Sequence, residues 1–202
     1  MKPSRKVFLV LTSAAMIPAL IVTATYTVKH VQAPDSHEDS TVENIVGYLQ
    51  GRMPDVPEER LREIATHVYA ESKKRGLDYR LVLAVMKVES NFNEDAVSSK
   101  GARGLLQIKP SLGRGIAETL GVTWSSDRIL HEPEKNIKFG VYQLSQLIEN
   151  FETLSWALYA YNSGQTRARE LATKRQKPGL RFAKAVLNEY ERTVSVLPEA
   201  QQ

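Results

Sequence analysis

Apolar residues recur three and four positions apart through most of the chain, and the runs they form are bounded by Gly, Pro or Asp. That spacing places one apolar stripe along a helix, whereas a half-buried strand needs strict alternation. Leu61, Ile64, Ala65, Val68 and Tyr69 mark such a stripe over 57–74, with Gly76 as its stop. Asp78 predicts the cap of a helix over 79–90. Residues 133–150 are amphipathic through Ile137, Val141, Leu144 and Ile148, and 154–161 are apolar on nearly every side, as expected of a buried central helix. Phe182, Val186, Leu187 and Tyr190 define a closing helix over 179–196. Shorter helices are expected at 41–52, 102–108 and 111–120. No period-2 run is long enough for a sheet, so the fold class is mainly α.

The N-terminus is of another kind. Lys2, Arg5 and Lys6 precede a run from Val7 to Val28 that holds no charge. A membrane span needs about 20 apolar residues and a signal core about 7–15. The expected organisation is a basic cytoplasmic stub (1–6), an anchor (7–28), a polar linker (29–40) and a folded domain (41–202). The rival is a cleaved signal with Val22-Thr23-Ala24 at its end. Both readings export the domain. Four of the 27 Lys and Arg lie in the first 33 residues with no acid among them, leaving 23 basic against 23 acidic residues beyond. A chain so balanced beyond its N-terminus is not expected to bind nucleic acid, which requires a basic face. The chain has no Cys and its four His show no ligand spacing, so neither a metal nor a cofactor is expected.

One helix carries a carboxylate where it is costly. Arg80 and Lys87, seven apart, share one polar stripe, and at about 100° per residue Glu89, nine positions beyond Arg80, lies about 180° from it, on the side of Val82, Val85 and Met86. Loss of hydration raises the pKa of such an acid, and the helix dipole opposes negative charge in a last turn. Both effects favour a carboxylic acid protonated near neutral pH, as a general acid must be. Ser90, Asn91, Asn93, Ser98, Ser99 and Gln107 follow, with Gly101 and Gly104 between them. Neutral donors and acceptors around one acid suit a polyhydroxylated substrate such as a glycan.

Glu89-Ser90, Ser98, Gly101-Ala102-Arg103-Gly104-Leu105, Gln107 and Pro110, then Asn136-Ile137 with Gly140, then Ala160-Tyr161-Asn162-Ser163-Gly164 occur in that order. In these three motifs the chain resembles the soluble-lytic-transglycosylase-type catalytic domain of bacteria, over about 64–191. The resemblance implies a goose-lysozyme-like helical fold and peptidoglycan glycan strands as substrate. It implies Glu89 as sole catalytic acid and base, and Tyr161 hydrogen-bonded to it. Ser98, Gln107 and Asn162 would line the sugar groove, and Ser90 and Lys109 are further candidates for binding the substrate. Lys109 stands where the family often has an apolar residue, Gln165-Thr166 where Pro-Gly is common, and Tyr79 where a proline is frequent.

Most glycosidases use two carboxylates. Glu94 and Asp95 are the nearest acids to Glu89 and lie in the following loop, with Asp127 and Glu132 farther along. With one acid, the substrate's own 2-acetamido and 6-hydroxyl groups would complete the reaction, leaving a 1,6-anhydro end. The alternatives are a water-using muramidase with Asp95 or Asp127 as second carboxylate, and a non-catalytic glycan-binding scaffold of the envelope. The expected setting is the bacterial inner membrane with the domain in the periplasm, or a secreted or periplasmic protein after signal cleavage. Protein partners in envelope complexes are compatible with either.

Overall fold

The structure, a computed structural model, describes residues 36–200. The segment 7–28 and most of the 29–40 linker lie outside the described residues. No described helix is long and apolar enough to cross a membrane. Eight α-helices and one 3₁₀ turn are described: α1 (Ser36–Gln50), α2 (Glu58–Lys74), α3 (Tyr79–Ser90), α4 (Pro110–Thr119), the 3₁₀ turn (Asp127–His131), α5 (Pro133–Asn150), α6 (Leu154–Ser163), α7 (Gln165–Thr173) and α8 (Arg181–Val196). Among the described residues there is no sheet, only isolated antiparallel bridges of Val97 and Ile108 to Arg103.

Helix α3 is the centre of the domain. Asp78 starts it by accepting from the Arg80 backbone N–H at 2.8 Å, and every residue from Tyr79 to Met86 is buried. Val82, Leu83, Val85 and Met86 are each 0% exposed, and burying a side chain of that size contributes roughly 2 kcal/mol. Around α3 pack α2 and α8, while α1 lies on α2, and α5 joins α2 to α6. Tyr48 of α1 meets Phe92 edge-on, at 6.2 Å between ring centroids.

Four expectations change. The central helix is α3 and not 154–161: in α6 only Ala157 to Ala160 are buried, because that helix packs across α5, α7 and α8 on the flank. Arg80, expected on a polar stripe, is buried. Its guanidinium pairs with Asp78 at 2.7 Å and reaches the Leu197 carbonyl at 3.4 Å, so its charge is met inside the domain. Residues 102–108 form turns rather than a helix, since Gly101, Gly104 and Gln107 all take positive φ (76°, 75° and 48°). Helix α1 starts at Ser36, inside the expected linker, with Glu38 and Asp39 in its first turn to favour the N-terminal dipole.

Candidate active site

Helix α3 ends with Asn91 in the left-handed region (φ 53°), its N–H donating to the Lys87 carbonyl at 3.1 Å. Phe92 is left-handed too (φ 64°) and is anchored by full burial. Two such residues reverse the chain directly after Glu89, and the loop that follows returns beside it. Glu89 lines a cavity of about 730 Å³ with Ser98, Gln107, Lys109, Tyr161 and Asn162. Three segments far apart in sequence therefore meet there: the end of α3, the 98–109 loop and the end of α6.

The loop is held by its backbone. Asn136, 1% exposed on α5, accepts from the Leu106 N–H at 2.7 Å and donates to the carbonyls of Leu130 (2.7 Å) and Arg103 (2.9 Å). A Cβ on Gly104 would stand 2.2 Å from the Leu130 carbonyl oxygen and 2.3 Å from the Asn136 amide nitrogen, which requires glycine there. One turn along the same face of α5, a Cβ on Gly140 would lie 2.4 Å from Leu106 Cδ1. The second motif thus holds the 103–106 backbone in place. It is the seat for the loop.

The Tyr161 hydroxyl donates to the Leu106 carbonyl at 2.8 Å. The expected bond to Glu89 is absent among the described residues. Half-buried beside Glu89, the phenol is held well above its usual range, first by desolvation and then by the carboxylate's charge. Phe182 of α8 stacks on its ring, centroids 6.4 Å apart and planes 5° apart. Ser90 is not on the cavity wall: its hydroxyl donates to the Leu105 carbonyl at 2.8 Å, with the Met86 carbonyl at 3.2 Å. Its expected substrate-binding role gives way to a structural one, because the loop's own carbonyl takes its proton. Residues 105 and 106 are accordingly gripped from α3, α5 and α6 at once.

Glu89 is half-buried, and burial pushes its pKa from an ordinary 4.5 up to about 7. Among the described residues no hydrogen bond or ion pair engages its carboxyl, and it is the only acid lining the cavity. Glu94 is instead bound by Arg60 at 2.7 Å, Asp127 by Arg114 at 2.9 Å, and the exposed Asp95 lies 3.8 Å from His131. Ser98 Oγ accepts from the Ala102 N–H at 3.0 Å, which leaves its own O–H to donate. The Gln107 amide nitrogen donates to the carbonyls of Ala96 (3.1 Å) and Gly104 (2.9 Å), leaving Oε1 as an acceptor. Asn162 and Lys109 are exposed on the wall. The sequence reading passed over Lys100, Gln143 and Arg167, which line the same cavity. Helix α7, where Gln165-Thr166 replace Pro-Gly, was not foreseen, and Arg167 comes with it. Trp124 stacks on Phe139 (6.3 Å) and Trp156 meets Tyr159 edge-on (6.0 Å); neither lines the cavity.

The chain is 37% identical over 120 residues to membrane-bound lytic murein transglycosylase C of Haemophilus ducreyi, covering 54% of this chain and 33% of that one. It is 34% identical over 110 residues to the transglycosylase of Enterobacteria phage PRD1, covering 54% and 38%. The chain thus spans about a third of the length of the curated relatives it matches. An inactive mutant of lytic transglycosylase Slt from Pseudomonas aeruginosa superposes with a TM-score of 0.59 at 21% identity, over 82% of this chain and 31% of that one, so the fold is shared. The Escherichia coli 70 kDa soluble lytic transglycosylase gives 0.51 at 19% identity, over 81% and 29%. The family model described as the Transglycosylase SLT domain matches residues 67–181, the stretch that carries the cavity, and the chain belongs to that family.

Proposed function

We propose that the chain is a peptidoglycan lytic transglycosylase, cleaving the β-1,4 bond between N-acetylmuramic acid and N-acetylglucosamine with Glu89 as sole acid and base. One observation carries the reading: a single half-buried carboxyl, with a pKa near 7, on a cavity offering no second carboxylate among the described residues. The names of the relatives support it. Protonated Glu89 donates to the glycosidic oxygen, and the bond from that oxygen to the muramic C1 breaks. The acetamido oxygen of the same sugar stabilises the cationic carbon, the substrate-assisted device of some glycosidases. Glu89, now a carboxylate, takes the proton of the 6-hydroxyl as O6 bonds to C1. The products are a free 4-hydroxyl and a 1,6-anhydro ring, and no water is consumed.

Tyr161 acts as a positioning residue. Its proton is committed to the Leu106 carbonyl, so its oxygen is free to accept from the protonated Glu89. Ser98, Gln107 and Asn162 bind the sugars around the cut, and Lys109 binds the substrate beside them. The segment 7–28 serves as a single-pass anchor that leaves the domain in the periplasm, in keeping with the membrane-bound naming of relatives. The test is mass spectrometry of peptidoglycan digested by the wild-type protein and by Glu89→Gln. Anhydro-ended fragments from the wild type, with release at least about 100-fold slower in the variant, are expected. Reducing ends would favour the water-using alternative. Equal release by both proteins would overturn catalysis by Glu89.

A further inference from the structure

Three cations share the cavity with Glu89: Lys100, Lys109 and Arg167. Arg167 donates through Nε to the Tyr159 hydroxyl at 3.3 Å. The ammonium groups of Lys100 and Lys109 are exposed, and among the described residues nothing on the protein pairs with them. Lone surface lysines are ordinarily just a solvated face. These two differ in what surrounds them. Arg60, Arg62, Arg80, Arg114 and Arg192 each meet a carboxylate, yet the only acid on this wall is Glu89, which no cation reaches. A cavity that leaves its cations unmatched, in a chain that holds as many acids as bases beyond residue 33, suits an anionic ligand.

The backbone brings the two lysines together. Arg103 pairs antiparallel with both Val97 and Ile108, so residues 97–98, 102–103 and 108–109 run up, down and up. The first and third segments point the same way. Lys100 sits in the turn that closes the first pair, where the Gly101 N–H donates to the Ser98 carbonyl at 2.9 Å. Lys109 leaves the third segment at that same end. Reciprocal Arg103–Ile108 bonds of 3.0 Å and the Ser98–Ala102 bond of 2.9 Å make this a fixed platform.

The uncharged part of a glycan gains nothing from such a platform. The muramic sugar carries, on its lactyl group, a short peptide with free carboxylates. We infer that Lys100 and Lys109 form a carboxylate-binding subsite for that peptide, giving the cavity a preference for peptide-bearing over stripped glycan. The inference rests on the proposed peptidoglycan substrate.

Full-length Glu89→Gln protein is sedimented with cell-wall sacculi, either intact or stripped of peptides by an amidase. The same is done after adding Lys100→Ala with Lys109→Ala, and after the matching Lys→Arg pair. The ratio of the Kd on stripped to that on intact sacculi is expected to fall about fivefold with the alanines, the size of effect two exposed ion pairs supply, and to survive with the arginines. Raising salt from 50 to 300 mM should erode the preference in the same way. An unchanged ratio, or an equal loss of affinity for both sacculi, overturns the subsite. Cleavage by the wild-type protein is scored separately, so a failure of the proposed activity shows as no cut on either substrate while the binding ratio still judges the lysines.

Discussion

Replacing Glu89 with Gln should make the protein more stable above neutral pH while abolishing its proposed chemistry. The native carboxyl holds its proton up to about pH 7, whereas in the unfolded chain it releases it near 4.5. Between those values the unfolded state binds fewer protons, so stability falls as pH rises. A unit of pKa shift is worth about 1.36 kcal/mol, which sets a ceiling of roughly 3 kcal/mol. The cavity is open to solvent, and about 2 kcal/mol is the expected size after discounting for it. Glutamine has the shape of the protonated acid and never ionises, so it removes this dependence and nothing larger. Urea unfolding of the purified wild-type and variant proteins between pH 4.5 and 8.5 measures the difference. Every other titrating group is common to both and cancels. The variant should match the wild type near pH 4.5 and exceed it by about 2 kcal/mol at pH 8. A difference that stays flat with pH, or a wild type more stable at pH 8, would refute the claim that burial drives the shift.

Asn136→Ala strands three buried backbone groups, and a loss of about 3 kcal/mol in thermal or urea unfolding is expected, with reduced turnover as the 104–107 loop shifts. Gly140→Ala drives a methyl into Leu106, costing about 1–3 kcal/mol in unfolding measurements. Tyr161→Phe removes the bond to the Leu106 carbonyl; kcat should drop by about tenfold or more with KM little changed, and the alkaline limb of the pH–rate profile should move. At Asp78, burial raises the pKa but the bonds from Arg80 and Tyr190 outweigh it, and the net shift is downward. The stability this confers is present above the ordinary value of 3.8 and lost in more acid solution, so the advantage of wild type over Asp78→Asn in urea unfolding should shrink below pH 4.

Much of this was legible from residue order because the signals are local. Helix α5 needed only its stripe and Pro133 at the first position, and α3 only Asp78 and its apolar run. Glu89 could be placed on the apolar side by counting turns, and the structure keeps it half-buried there. What escaped depends on contacts distant in sequence. Residues 102–108 read as helix formers, but the Asn136 amide and the positive φ of Gly104 and Gln107 impose turns instead. The burial of Arg80 required knowing that the Leu197 carbonyl would lie beside it, 117 residues away. Ser90 and Tyr161 carried motif positions that suggested partners among sugars or acids, while the backbone at 105 and 106 claimed their protons. The pairing of Asn136 with Gly140, one helical turn apart, was the clue to that loop seat: a buried amide and a missing side chain on one face imply a peptide packed against both.

Digestion of peptidoglycan in water enriched in oxygen-18 puts the self-attack of the sugar to its most direct test. If a lone Glu89 closes the 6-hydroxyl onto the muramic carbon, the new ends are anhydro and carry no heavy oxygen from solvent. Ends that incorporate one heavy oxygen each from the start of the reaction would mean that water is the nucleophile, and the one-carboxyl mechanism would be wrong.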